Sequence, residues 1–398
     1  MFFRNTSDSK STPIDTDITE KEMLHSFFKV IDVPIEQRFK DLLEAKDDAA
    51  LDKEFSVSDQ QLCYYQARTT YSERVNHPEA KKLIQSLENP DNQNKPKTPS
   101  QFYREQLILG LAYYHGIGVN KDYIKARDHY MLASGGIPAA RYLLGYMLEE
   151  GKGFERNEKQ ALIFMKESAA QGCGEGYREL GYGFHFGTHT LNKCHDSAFK
   201  EYKKSADQGS PSGIYSLGFC FEEKVGVPQN FTKANAYFKQ AVSYGYALAF
   251  HPLGLAYKRG DSGLSKDVAK AAFYFRLMSL VGMTEVNGNE LLKLMQNQFD
   301  IHVSYHAAIS LNDPKLFNKA YQIDANKILE LVNEDMKWGS ELLSTQTRER
   351  LQAFLKKHEA NPVTAKIHEA LKQTVKHDDG ITMLMLPGYY PPGGLALS

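Results

Sequence analysis

Cysteine is scarce in this sequence and scattered where it occurs. Cys63, Cys173, Cys194 and Cys220 are spread over 398 positions with no C-x-x-C pair. That pattern argues against a disulfide framework and against zinc-ribbon spacing, and a reducing cytosol suits it best. An excess of one charge is also missing: 48 Lys and Arg face 49 Asp and Glu, for a formal net charge of −1. No global basic field would draw the chain onto nucleic acid or anionic lipid. Nor is there an apolar run approaching the ~20 residues of a membrane span. The opening MFFRNTSDSKSTPIDTDI lacks the apolar core of about 7–15 residues that a signal peptide carries. The expectation is a cytoplasmic chain with no nucleic-acid partner and no membrane insertion, in which the sequons at Asn5 and Asn230 carry no meaning. Catalytic signatures are lacking too: no G-x-S-x-G elbow, no ordered Cys/His pair and no suggestive carboxylate pair. Neither catalysis nor a cofactor is expected, although catalytic groups can converge from distant positions. Hydrophobic residues at 42% and charged residues at 24% give the balance of a globular protein. The length accommodates one large domain or two to three ordinary ones.

What the sequence does have is an internal repeat. Leu-Gly recurs at Leu109-Gly110, Leu144-Gly145, Leu180-Gly181, Leu217-Gly218 and Leu253-Gly254, with the glycines 35, 36, 37 and 36 residues apart. Four residues before each Leu stands Glu105, Ala140, Gly176, Gly213 or Ala249. Three residues after each Gly stands Tyr113, Leu148, Phe184, Phe221 or Tyr257, and sixteen or seventeen after it Ala126, Ala161, Ala198, Ala234 or Ala271. Two apolar-periodic segments joined by a short Gly-bearing turn predict a helix hairpin, with helix A followed by helix B. The small residues let the two helices lie close, and the large apolar one fills the space between them. One hairpin cannot bury its apolar face, but a stack can.

The pattern resembles the Sel-one-like repeat family, a relative of the tetratricopeptide repeats, whose motif runs approximately A-x-x-x-L-G-x-x-Y-x-x-G-x-G-V-x-x-D-x-x-K-A. LGLAYYHGIGVNKDYIKA from Leu109, LGYMLEEGKGFERNEKQA from Leu144 and LGFCFEEKVGVPQNFTKA from Leu217 carry the match. The resemblance implies an all-α fold, an α-solenoid of helix-turn-helix repeats, over residues 101–282. A secreted branch of the family has regular cysteine pairs, which this chain does not share.

The flanks read as additional helical regions. Residues 1–18 are expected to be disordered. Helices are expected near 19–31, 34–46, 58–75 and 78–88, with capping boxes at Thr19-x-x-Glu22 and Ser58-x-x-Gln61 and first-turn prolines at Pro34 and Pro78. Residues 89–100 read as a polar, Pro-rich linker. Beyond the repeats, 283–378 is expected to be helical, with segments over 289–311, 314–323, 326–343, 346–359 and 362–376, and 379–398 is an apolar Pro/Gly-rich tail.

His185, His189, Cys194 and His195 have the look of a transition-metal site. In register, however, they fall on the A–B turn of the third repeat, and the adjacent Cys194 and His195 are poorly placed to share one metal, so no metal is assigned. His302 and His306 lie one helical turn apart but lack the Glu of H-E-x-x-H. The Gly-x-Gly of HGIGV and EGKGF follows a helix rather than a strand, which fits helix stops with positive φ, not a phosphate loop.

The face of the A helices is more informative. With the motif Ala as position 1 and about 100° per residue, positions 1, 5, 8, 9 and 12 turn toward the core and positions 3, 7 and 10 away from it. Position 3 reads Leu107, Tyr142, Arg178, Tyr215, His251; position 7 reads Leu111, Tyr146, Tyr182, Phe219, Leu255; position 10 reads Tyr114, Glu149, His185, Glu222, Lys258. Positions 3 and 7 are aromatic or aliphatic in eight of ten places, although the wheel turns them outward. The resemblance implies that A helices line a concave groove. A partner segment there would meet Tyr142, Tyr146, Tyr182, Tyr215 and Phe219, while Arg178, Glu149, Glu222 and Lys258 would set orientation. The reading is a non-catalytic protein–protein interaction scaffold or adaptor. One alternative is a repeat platform for an enzymatic site in the flanking helices. Another, implied by the resemblance, is a bacterial effector secreted into a host cell without a Sec signal. The groove could also be covered by a segment of the chain itself, with PGYYPPGG of the tail as one candidate.

Overall fold

The computed structural model describes residues 18–31, 33–68, 71–89, 91, 97–188, 190–260, 264–279 and 301–310, with 320, 324, 327, 328, 330 and 331. The start expected to be disordered, most of the helices expected beyond 282 and the tail lie outside the described residues. Two compact units are present: Met1–Phe27 with Ile35–Leu62 and Tyr71–Tyr246, and Phe28–Pro34 with Cys63–Thr70 and Ala247–Ser398.

Ahead of the repeats come α1 (Glu20–Ile31), α2 (Ile35–Glu44), α3 (Asp48–Arg68), α4 (Tyr71–Val75) and α5 (Pro78–Glu88). Thr19 and Glu22 form the expected reciprocal cap of α1. The second expected box is overturned: α3 starts ten residues before Ser58, at Asp48, where Asp47 Oδ1 accepts the Ala50 N–H at 2.8 Å. Ser58 and Gln61 are buried inside that helix. A capping box that the sequence reading missed, Thr98 with Gln101, opens the next helix behind Pro99.

The repeats of the first unit are α6 (Pro99–His115) with α7 (Tyr123–Ala133), α8 (Pro138–Glu150) with α9 (Glu158–Ala170), α10 (Gly174–Phe186) with α11 (His195–Asp207), and α12 (Pro211–Glu223) with α13 (Phe231–Ser243). Each A helix packs on its own B helix, and α7, α9 and α11 each pack on the A helix that follows. Successive A helices also touch, α8 with α10 and α10 with α12. The second unit holds the fifth hairpin, α14 (Phe250–Arg259) with α15 (Val268–Ser279), and α16 (Ile301–Ser310), which packs on α15. The described residues are thus all-α, built from stacked helix hairpins.

The repeated residues have one physical role each. The motif Gly clears a B-helix side chain: a Cβ on Gly110 would lie 2.3 Å from the Tyr130 ring, on Gly181 2.5 Å from Tyr202, and on Gly218 2.8 Å from Phe238. The motif Ala residues, Ala126, Ala161, Ala198, Ala234 and Ala271, are at most 1% exposed. A ring three positions after the Gly stacks on the B helix, as with Tyr113 on His129 at 5.6 Å and Phe221 on Tyr237 at 5.7 Å. The carbonyl of that same residue accepts the N–H of the B-helix N-cap in every repeat, from Asp122, Asn157, Cys194, Asn230 and Asp267. Cys194 therefore stands in the N-cap column. Each A helix ends on a left-handed residue, a glycine in four repeats and Lys224 (φ 60°) in the fourth.

A second left-handed glycine in the turn touches the preceding B helix. A Cβ on Gly153 would collide with Tyr123 of α7, and one on Gly226 with His195 of α11. In the first repeat, a Cβ on Gly118 would collide with Lys81 of α5, and Gly118 donates its N–H to the Arg74 carbonyl at 2.8 Å. So α5 takes the place of a B helix ahead of repeat 1, although no Leu-Gly signature precedes it.

Candidate partner-binding face

The A helices bring positions 3, 7 and 10 to one face, as the spacing requires, but that face is not uniformly open. Leu107 and Leu111 are fully buried, because α2 packs across α6 and Arg104 donates to the Leu43 carbonyl at 3.1 Å. Tyr142 is 5% exposed and meets Phe55 of α3 edge-on at 6.3 Å. Along these helices the outward reading of the wheel is corrected: a segment of the chain's own N-terminal region covers the face. The wheel treats one helix at a time and cannot see such a cover.

Tyr146 and Glu149 are half-buried. Lys152 Nζ sits 5.8 Å from the Tyr146 ring, 5.4 Å from Tyr114 and 5.8 Å from Tyr123, and donates to Tyr114 Oη at 3.1 Å. Three tyrosines thus gather round one ammonium by cation–π attraction. Arg178 is an internal clamp: its guanidinium binds Glu175 Oε2 at 3.0 Å and also Glu179. Those two carboxylates hold its proton well above the usual guanidinium range against the opposing effect of burial. Glu175 also accepts from Ser210 Oγ at 2.7 Å and from Ser212 Oγ at 2.8 and 2.9 Å, which joins repeats 3 and 4. Glu175 and Ser212 were not anticipated, because their pairing spans 37 residues.

Tyr215 is half-buried, stacked obliquely on Phe238 at 5.6 Å and on Tyr246 at 5.0 Å. Burial, then the nearby Glu222, pushes its hydroxyl up to about 12. Phe219 and Glu222 are half-buried. Lys258 is half-buried on α14, in the second unit.

The open part of the face is on α10. Tyr182 is 40% and Phe186 53% exposed, their ring centroids 4.6 Å apart. His185 lies beneath, 4.1 Å from Phe186 and 5.6 Å from Phe219. Burial, with His195 and Lys193 beside it, lowers the His185 pKa and favours a neutral ring. Phe186 was missed, yet the sequence signalled it: the equivalent positions hold His115, Glu150, Glu223 and Arg259, all polar or charged. His189 lies outside the described residues. Among the described residues no three His, Cys, Asp or Glu side chains converge as metal ligands. His306 packs on Phe273, and its Nδ1 lies 3.2 Å from Arg276.

The arrangement defines a helical-hairpin repeat protein. Residues 106–134, 138–173, 174–210, 211–245 and 246–282 each match the Sel1 repeat, so the chain carries five Sel1 repeats. It is 30% identical over 130 residues to chitin synthase regulatory factor 2 of Schizosaccharomyces pombe, covering 31% of this chain and 25% of that one. It is also 30% identical over 155 residues to protein sel-1 homolog 2 of Mus musculus, covering 36% of this chain and 22% of that one. The match thus spans about a quarter of the length of these curated relatives. Among solved structures, a Sel1 repeat protein from Oxalobacter formigenes aligns over 52% of this chain and 94% of its own, at 22% identity and a TM-score of 0.42. The antigen c5321 of uropathogenic Escherichia coli aligns over 91% and 85%, at 17% identity and a TM-score of 0.42. Sel1 repeats mediate protein–protein interactions. Among the described residues no helix is long and apolar enough to cross a membrane.

Proposed function

We propose that the chain is an interaction scaffold that captures a protein segment on the A-helix face of its first unit. The observation that carries this is the exposed aromatic pair Tyr182 and Phe186, seated on His185 and Phe219 in the middle of the repeat array. Paired rings held by a rigid helix offer large contact area at little entropic cost, the character of interface anchors. Tyr146, Tyr215 and Phe219 extend the apolar strip on either side, and Glu149 and Glu222 flank it with negative charge. Arg178, tied to two carboxylates, organises the face rather than offering a free cation. Tyr142 meets the chain's own α3, and Lys258 belongs to the other unit. Affinity capture with mass spectrometry tests the reading. Wild type should retain a discrete partner that the double variant Tyr146→Ala/Tyr182→Ala loses, with unchanged circular dichroism. Identical partners for both forms would overturn it.

A further inference from the structure

The cover on the inner face is itself informative. Within the first unit, residues 48–62 of α3 meet three repeats. Asp52 Oδ2 accepts the Gly174 N–H at 3.1 Å, at the first turn of α10. The N-cap residue of that helix, Cys173, provides no side-chain cap of its own. A side chain 122 residues away thus completes the start of repeat 3. Three positions on, Phe55 is fully buried against Tyr142 of repeat 2. Lys53 Nζ lies 5.3 Å from the ring of Tyr244, at the end of the repeat-4 B helix. Beside this helix is a cavity of about 430 Å3, lined by Leu51, Asp52, Pro138, Cys173, Gln171 and Gln208 among others.

This segment is held in an unusual way. Leu51, Phe55, Ser58 and Leu62 make its buried stripe, so a hydroxyl interrupts the apolar series. Asp52 Oδ1, Ser56 Oγ, both amide atoms of Gln60 and Gln61 Nε2 are buried with no hydrogen-bond partner among the described residues. The side chains of α8 and α10, which Phe55 and Asp52 meet, contribute no such atom. Each orphaned polar atom keeps an uncompensated desolvation cost. The anchors are good and the rest of the seat is poor. That combination describes a contact that forms but is readily exchanged.

We infer that residues 48–62 are a built-in ligand of the repeat face, displaced by a partner helix of the same chemistry: Asp or Asn, then an aromatic residue three positions later. The short polar side chain caps α10 and the ring packs on Tyr142. The partner binds better than the resident segment because it need not bury Ser56, Gln60 and Gln61. The inference rests on the scaffold reading above. It uses Gly174 and Tyr142, however, and not the Tyr182–Phe186 pair, so either can fail alone.

The test uses the full chain and a capped, fluorescein-labelled peptide of residues 47–62. Hydrogen exchange of the wild type should show amides of 52–62 exchanging at least about tenfold faster than those of α10, and faster still with saturating peptide. Fluorescence anisotropy should show the peptide binding a Phe55→Ala chain about tenfold or more tightly than the wild-type chain, since the resident competitor is weakened. A peptide carrying the same Phe55→Ala change should not bind. Exchange in 52–62 as slow as in α10 and unaffected by peptide would overturn the inference. This arm needs no variant to fold. Concentration-dependent dimerisation of the wild type that the peptide abolishes would overturn the separate partner, by assigning the displacing helix to a second copy of this chain.

Discussion

Repeats 1 and 3 put residues of the same register on the same helix face and end in different states. At position 7, Leu111 of repeat 1 is fully buried and Tyr182 of repeat 3 is 40% exposed. The hairpins themselves are alike: the same Gly clears a Tyr ring of the B helix, Tyr130 in one and Tyr202 in the other, and the same carbonyl bonds the next N-cap. The difference comes from outside the repeats. Helix α2 lies across α6, and α5 completes the stack where a B helix is missing. The state of an A-helix face is therefore set by what lies over it, and part of this one is covered by the chain's own N-terminal region. Where that region stops, aromatic rings stand open.

The largest effect should come from placing one charge at equivalent positions. Leu111→Asp puts an unpaired carboxylate into the covered face and should cost on the order of 4 kcal/mol or more, enough to unfold the first unit in urea titration. Tyr182→Asp, in the same column two repeats away, should leave the midpoint nearly unchanged. Equal losses would mean that the two faces are equally covered. Next in size is Phe55→Ala. A fully buried ring deleted from a packed contact costs roughly 3–5 kcal/mol. A displaceable helix should give less, about 2 kcal/mol, because the segment can let go while the repeats stay folded. Thermal melts by circular dichroism should show a small loss of helix before the main transition.

The repeat array was legible because each of its rules is local. Leu-Gly, the small residue before it and the Ala after it recur within one hairpin, and all five hairpins stand where the register puts them. The turn glycines read as helix stops, and they have the positive φ that such stops need. The cover was not legible, because its contacts are long-range. Asp52 reaches Gly174 across 122 residues, and Arg104 reaches Leu43 across 61. Ser58 and Gln61 had the spacing of a cap, yet Asp47, eleven residues earlier, is the cap that forms. Helix α5 serves as a B helix with no Leu-Gly ahead of it, so pattern matching could not include it. Phe186 was within reach of the sequence: comparing one column across five repeats isolates it.

Acidity offers a milder way to probe the cover. Burial raises the Asp52 carboxyl from 3.8 to about 6, with Glu175 adding to the rise, while the Gly174 N–H and Cys173 oppose it. Burial also keeps the Cys173 thiol neutral, its pKa raised well above the usual value. The folded chain thus holds a proton that the unfolded chain has already released between about pH 4 and pH 6. Unfolding free energy should fall as pH rises through that window and level off above it. Asp52 keeps part of its surface exposed, so the fall should be about 1–2 kcal/mol rather than the full value of the shift. Asp52→Asn keeps an acceptor for Gly174 and carries no proton to lose. Its urea midpoint should be flatter across the same window and no lower than wild type at pH 7. An unchanged slope in that variant would place the proton on another group.

The smallest effect on stability, and the most informative for function, belongs to the open ledge. Tyr182→Ala and Phe186→Ala each remove a ring that solvent already reaches, so the midpoint should move by no more than about 0.5 kcal/mol. The His185 ring stacks directly under Phe186, and loss of that cover should raise its depressed pKa toward the ordinary value near 6.5, measurable by NMR titration of the imidazole protons. Partner affinity should respond far more strongly, because truncating a central aromatic anchor typically costs about 2 kcal/mol or more, near 30-fold in Kd. Phe55→Ala should do the opposite, weakening the fold and strengthening capture of a partner helix at Tyr142. A pair of substitutions with reversed orders in stability and in binding would separate the self-covered part of this face from the part left for a partner.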